Sequence, residues 1–251
     1  MLVSNQTGET MQSRAVSVLI TACFVASAQV VDAQIIYPSG SVPSRFSFGG
    51  DVVISQPKGE FSNNVPTGYG FDLTGMFRID PRGYLNLRAD LGGVQYGRET
   101  QRVNFPNTGR VSLDVETDNR IGFGAIGAQL QIPDGWFRPY ANAAFAPTYF
   151  WTESSISATD DSYDFASTTN QDDWSHAWVF GGGLMIPFGK SLGALNLGAK
   201  YFYGGEATYL REGDITDNPD GSITLNPRRS KTDLVLWQLG VSFKIPRPSR
   251  R

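Results

Sequence analysis

The chain has 251 residues, 40% of them hydrophobic and 18% charged, with 28 glycines, a net charge of −3, one cysteine and one histidine. That balance excludes a helical membrane protein with several spans, each needing about 20 apolar residues, and leaves no basic stripe to neutralise a nucleic-acid backbone. A lone cysteine excludes an internal disulfide, and a lone histidine excludes a histidine cluster for zinc.

The first element in chain order is an export signal. Arg14 precedes an apolar run from Ala15 to Ala26, and Val31-Asp32-Ala33 follows as a small-residue cleavage site. A basic start, a short apolar core and such a site predict an N-terminal prefix and a signal peptide over 1–33, cut before Gln34, with 34–44 as a periplasmic lead-in. Cys23 falls inside the apolar core, so the mature chain would hold no cysteine. Ile20-Thr21-Ala22-Cys23 has the alternative pattern of a lipoprotein box, and Met11 is an alternative start.

Strands are predicted at about 45–54, 69–79, 84–99, 119–132, 136–151, 174–188, 194–210 and 232–243. Their connections alternate. Asp80-Pro81-Arg82-Gly83, Pro133-Asp134-Gly135 and Gly189 to Gly193 are tight turns, whereas 55–68, 100–118, 152–173 and 211–231 are long and polar. Short inner turns and long outer loops predict an all-β fold, one eight-stranded antiparallel up-and-down transmembrane β-barrel over 45–243. A short basic tail over 244–251 follows, and an even strand count puts both ends in the periplasm.

Side chains alternate across a strand, so bulky apolar residues mark the lipid face. In the second strand Tyr69, Phe71, Leu73, Phe77 and Ile79 face out, against Asp72, Thr74, Met76 and Arg78. In the third, Leu85, Leu87, Ala89 and Leu91 oppose Asn86, Arg88 and Asp90, with Gly92-Gly93 expected to bulge and reset the register. In the seventh, Leu195, Leu197, Ala199, Tyr201 and Tyr203 oppose Asn196, Lys200, Phe202 and Glu206. In the last, Val235, Trp237, Leu239, Val241 and Phe243 share one face. The charges that alternation turns inward are Asp51, Asp72, Arg78, Arg88, Asp90, Arg138, Lys200 and Glu206, expected to form a salt-bridged lumen network. A narrow conduit lined by the same charges is the alternative.

Tyr and Trp prefer the headgroup level of a bilayer. Tyr149, Trp151, Trp174, Trp178 and Tyr209 near the outer strand ends, and Trp136, Phe137, Phe188 and Phe243 near the inner ends, form the expected girdles, with Trp237 on the lipid face of the last strand. Pro139 and Pro147 remove two N–H donors from the fifth strand, where a bulge or local opening is expected.

The stretch Phe48-Gly49-Gly50 to Tyr69-Gly70, with the closing strand Trp237 to Phe243, resembles the small outer-membrane barrels of the OmpA, OmpX and OmpW superfamily. The resemblance covers about 45–243. It implies residence in the outer membrane of a Gram-negative-type cell envelope, contact with its lipid and lipopolysaccharide, and recognition of the C-terminal strand by the barrel assembly machinery. Lys244 to Arg251, beyond the terminal aromatic, depart from the family pattern. Members serve as anchors, adhesion surfaces, small pores or lipid-modifying enzymes. The expected role is structural or surface-interacting, through the outer loops and with no surface ligand identified. A passive pore is second and a lipid A-modifying enzyme third.

No catalytic residue, metal or cofactor is expected. His176 shares an outward face with Trp174 and Trp178, opposite Ser175, and reads as a girdle residue rather than a general base. The acids of the third loop, Asp160, Asp161, Asp164, Asp172 and Asp173, and the fourth-loop run Asp217-Asn218-Pro219-Asp220-Gly221 lack EF-hand spacing. They read as a solvated loop and a turn.

Overall fold

The computed structural model describes residues 45–104, 112–158, 164–188, 193–218, 220 and 222–245. The signal segment, the lead-in, the tail beyond Ile245 and the acids Asp160 and Asp161 lie outside the described residues. The strands in chain order are Phe46–Pro57 (β1), Gly68–Arg78 (β2), Leu85–Asn104 (β3), Ser112–Gln131 (β4), Arg138–Ala158 (β5), Asp164–Phe188 (β6) and Gly193–Gly204 (β7). Four short ones come next, Glu206–Tyr209 (β8), Ile215–Asp217 (β9), Ile223–Leu225 (β10) and Arg228–Lys231 (β11), then Leu234–Lys244 (β12). Eight of them close an antiparallel ring in the order β1, β12, β7, β6, β5, β4, β3, β2.

The stagger of the ring follows from its pairing. Stepping between directly paired residues from Arg78 through Asn86, Gln129, Asn142, Gly181, Lys200, Leu236 and Ser55 returns to β2 at Gly68, ten residues from the start. Closure with such a shear tilts the strands by roughly 35–45°. Residues at one height in the lumen therefore come from very different sequence positions.

Four strands outrun their expected bounds at the long-loop end by five residues or more. β3 reaches Asn104, β4 begins at Ser112, β5 reaches Ala158 and β6 begins at Asp164, so Asp172 and Asp173 belong to a strand, not a loop. The stretch expected as one polar fourth loop holds two small hairpins, β8 with β11 and β9 with β10. At the opposite end the β2–β3 turn is fixed by Asp80, whose carboxylate accepts from the Leu85 N–H at 2.7 Å and the Gly83 N–H at 2.9 Å. The Leu85 bond foremost holds this exposed carboxyl below the usual range.

Two expected irregularities sit elsewhere. Gly92 and Gly93 pair in register, and the shift occurs between Gln95 and Gly97, where Tyr96 is the extra residue. Gly92 instead makes room, since a Cβ there would lie 2.5 Å from the Phe123 ring. Pro147 opens the β4–β5 ladder without a bulge. Pairing lapses between Phe123↔Thr148 and Ile126↔Phe145 and resumes in the same register, as expected where an N–H is missing. Pro139 keeps its place, its carbonyl accepting from the Ile132 N–H at 3.0 Å.

Candidate functional site

The exterior of the ring is apolar. Phe48, Ile54, Phe71, Leu91, Ile126, Leu130, Phe180, Leu197 and Leu239 are all exposed. From Ile132, just past the end of β4, back to Gly122 the outward positions carry no charge over eleven residues, and Arg120 ends the run. This is the length a tilted strand needs to cross a bilayer. At the short-turn end the band is bordered by Phe46 packed at a tilt on Phe77 (4.9 Å), by Phe243 between Phe48 (5.8 Å) and Phe188 (6.3 Å), and by exposed Trp136 and Phe137. At the long-loop end Tyr149 packs on Trp151 (5.4 Å) and Trp174 (4.7 Å), and Phe145 on Trp178 (5.4 Å). Trp237 faces out on the loop-end half of β12, its Nε1 donating to Gln56 at 3.5 Å. Tyr209 does not join the girdle. It is 1% exposed, because β8 turns it over the mouth of the lumen.

Inside, the lumen has two layers. The one nearer the turns is polar and holds five of the eight charges expected there: Asp51, Asp72, Arg88, Asp90 and Lys200, all buried. Lys200 Nζ bridges Asp72 (2.6 Å) and Asp90 (3.1 Å). Arg88 Nε donates to both oxygens of Asp90 (2.9 and 3.0 Å), its other nitrogens donate to Gln129 (2.6 Å) and Thr74 (3.0 Å), and the guanidinium lies over the Tyr140 ring. Gln238 donates to Asp72 (2.5 Å), while Asp51 accepts from Asn196 (2.7 Å), which in turn accepts from the Tyr140 hydroxyl (2.9 Å). Each buried charge thus has an opposite charge or an amide against it, as groups out of water require, since an unmatched partner costs several kcal/mol. Within this network Asp72 Oδ1 and Gln238 Oε1 are buried without a hydrogen bond among the described residues.

Three expected members are elsewhere. Glu206 is exposed on β8, paired with Arg229 at 3.1 Å, because the chain leaves the ring at Gly205. Arg78 and Arg138 are the terminal lumen-facing residues of β2 and β5, below the network at the turn-end mouth and outside its bonding. Sequence reasoning placed Thr74 inward without joining it to the network and missed Gln129, Tyr140 and Gln238 as members, because their meeting depends on the ring stagger.

The loop-end layer is apolar, which was not expected. Val53, Val94, Ile121, Phe123, Phe150, Val179, Phe202, Leu234 and Leu236 fill it, all but Val53 and Val179 lining a cavity of about 10 Å³. That volume is about one water sphere. Above them a one-turn 3-10 helix, Phe61–Asn63, drives Phe61 into the mouth, fully buried and edge-on to Tyr209 (5.1 Å), Phe150 (6.1 Å) and Tyr96 (6.4 Å). The Tyr96 hydroxyl donates to the Leu210 carbonyl at 2.9 Å and ties the cap to β3. A signal for this layer was present: on β4 Gly122 and Gly124 face lipid while Ile121 and Phe123 face in, so bulk there no longer marks the outside.

His176 is exposed, stacked on Phe145 at 6.1 Å. Ser175 turns away and donates to the Glu206 carbonyl at 2.9 Å. Asp172 accepts from the Tyr149 hydroxyl (3.1 Å) and Asp173 from the Thr208 N–H (2.7 Å), so these acids are drawn to separate partners. Asp220 accepts from the Ser222 N–H at 3.0 Å, within the β9–β10 connection. We expect His176→Ala to leave folded yield, heat-modifiable gel migration and the lipid A profile of the host membrane unchanged. Loss of an acyl-transfer or deacylation product in a normally folded variant would show that the residue is a base after all.

Beyond the ring, β3 to β6 continue as a four-stranded sheet. β3 and β4 stay paired from Gly97↔Asn119 to Asn104↔Ser112, about 25 Å along the strand. Ion pairs cross it: Arg98 with Asp118 (2.8 Å) and Glu116 (3.1 Å), Arg102 with Asp114 (2.9 Å), and Arg120 with Glu153 (3.4 Å) and Asp118. The outward face thus changes from uncharged to ion-paired at the aromatic border.

A closed ring with an apolar exterior, aromatic borders and a charged interior defines the chain as a transmembrane β-barrel. Among solved structures it is similar to Neisserial surface protein A, at 14% identity over 81% of this chain and 99% of the other, TM-score 0.46. It is also similar to Ail, the attachment invasion locus protein of Yersinia pestis, at 10% identity over 81% and 100%, TM-score 0.43. A major outer membrane protein of Thermus thermophilus is similar at 9% identity over 80% and 99%, TM-score 0.44. Ail has also been solved with the heparin analogue sucrose octasulfate. No protein-family model and no curated protein matches the chain.

Proposed function

We propose that this barrel resides in the outer membrane and acts as a surface-interaction protein, presenting the β3–β6 sheet to the exterior. The observation that carries this reading is the sheet itself, a stiff, ion-paired, two-sided surface standing beyond the aromatic border while the other four strands stop. The filled lumen supports surface work over conduction, because buried side chains pack both of its layers. Lipopolysaccharide would contact the loop-end aromatics, and β12, ending in Phe243 and Lys244, would be the strand read by the barrel assembly machinery. The test is to trim β3–β4 above Gly97 and Asn119, and β5–β6 above Thr152 and Gln171, to short turns. Intact cells carrying the trimmed chain should lose the adherence that the full chain confers, while the barrel keeps its heat-modifiable migration. Undiminished adherence by a folded trimmed barrel would end the proposal.

A further inference from the structure

The turn-end mouth of the lumen carries a set of charges that neither the buried network nor the projecting sheet uses. Arg78 is the last residue of β2, Arg138 the first of β5 and Lys244 the last of β12, and all three stand on the lumen side of their strands. In the ring order these are separated by three, three and two steps, so a cation enters the mouth from each third of its circumference. They are near enough to act on one another, since the guanidinium groups of Arg138 and Arg78 both repel the Lys244 ammonium. The Arg78 guanidinium lies against Gly83 of the β2–β3 turn.

Nothing among the described residues neutralises them from inside. On β1 and β3 the first lumen-facing acids are Asp51 and Asp90, already bonded to Asn196 and to Arg88 and Lys200. The acids of the nearby turns are Asp80, whose oxygens are taken by the Leu85 and Gly83 N–H groups, and the exposed Asp134, the one carboxylate that attracts Lys244. Two donors at the same level are buried without a partner. They are Nε of Arg138 and Nδ2 of Asn86, a residue 5% exposed that pairs directly with Arg78. An unpaired buried donor costs free energy that an incoming acceptor would recover. Converging guanidinium and ammonium groups with an amide donor are the chemistry that holds a phosphate oxyanion.

The geometry points to a binding site for a phosphate-bearing anion at the turn-end mouth of the barrel, formed by Arg78, Arg138, Lys244 and Asn86. The phosphate could belong to a lipid headgroup reaching round the rim or to a free anion of the compartment below. The site holds whichever compartment the turn end faces, so it stands apart from the proposed surface role.

The experiment uses the full chain folded in neutral-detergent micelles and titrated calorimetrically with inorganic phosphate and, separately, with short-chain phosphatidylglycerol. Binding of the lipid alone assigns the site to a headgroup, and binding of inorganic phosphate as well assigns it to a free anion; either outcome upholds it. Changing Arg78, Arg138 and Lys244 together to glutamine should weaken the bound probe at least tenfold, on the scale of one lost charge-assisted hydrogen bond or more. Arg82→Gln, on the exposed turn outside the lumen, should leave it unchanged. If the triple variant does not show the gel shift of a folded barrel, Arg138→Gln alone replaces it, with the same direction of effect. Failure of both probes to bind, a triple variant that binds as the parent does, or an equal loss in Arg82→Gln would overturn the assignment.

Discussion

Arg88→Ala and Lys200→Ala should each destabilise the folded barrel by about 3–5 kcal/mol, against about 1 kcal/mol or less for Arg211→Ala. Lys200 and Arg88 have side chains 2% exposed, and between them they pair with Asp72 and Asp90. Removing Lys200 leaves two carboxylates facing each other across a space with no solvent, and removing Arg88 strips Asp90, Gln129 and Thr74 of a donor at once. Arg211 pairs with Asp214 at 3.4 Å but is 36% exposed, and Arg228 remains on the same carboxylate at 3.3 Å. Urea midpoints of the three variants refolded in the same detergent measure the difference. Equal midpoints would mean that water reaches the network, and would revive the conduit.

The apolar cap should weigh as much as the charges. Phe61→Ala empties a fully buried position between three rings, and large-to-small changes at such sites cost about 3–5 kcal/mol through lost transfer energy and the void left behind. Phe61→Leu should recover a good part of that loss, because it keeps most of the volume while surrendering the edge-on ring geometry. The same urea titration reads both. A Phe61→Ala barrel as stable as its parent would show that the 3-10 turn merely rests on the mouth instead of sealing it.

Most of the exterior was legible along the chain because bilayer and strand impose one rule together. A charge facing lipid is costly, so Phe71, Leu73, Leu87 and Leu91 alternate with Asp72, Thr74, Arg88 and Asp90 in plain view. The rule fails where both faces are apolar. Along Ile121 to Ala125 the lipid side is glycine, and the inward Ile121 and Phe123 give parity nothing to contrast with. The polar layer was half visible. Its charges could be assigned inward, but which of them meet depends on a ten-residue stagger that no single strand encodes. Arg78 and Arg138 have the same parity as Arg88, and only their position at strand ends removes them from the network. Glu206 and Tyr209 were misplaced for a simpler reason: the seventh strand stops at Gly204, and the residues after Gly205 belong to a hairpin folded over the opening.

The cap also orders the birth of the molecule. Neighbouring ring strands are mostly neighbours in the chain, so hairpins from β1 to β7 can zip locally as they are delivered, with short loops to close. Phe61 cannot take part in that. It belongs to the first connection, yet one of the rings enclosing it, Tyr209, arrives only after β7, and the β1–β12 seam that turns a sheet into a tube comes later still. Until then Phe61, Phe123 and Phe202 lie on an open concave face, where they are a hazard for misassociation. Closing the seam and burying that face are therefore one late, long-range event, and whatever shelters the nascent sheet has to hold it until the twelfth strand is in hand.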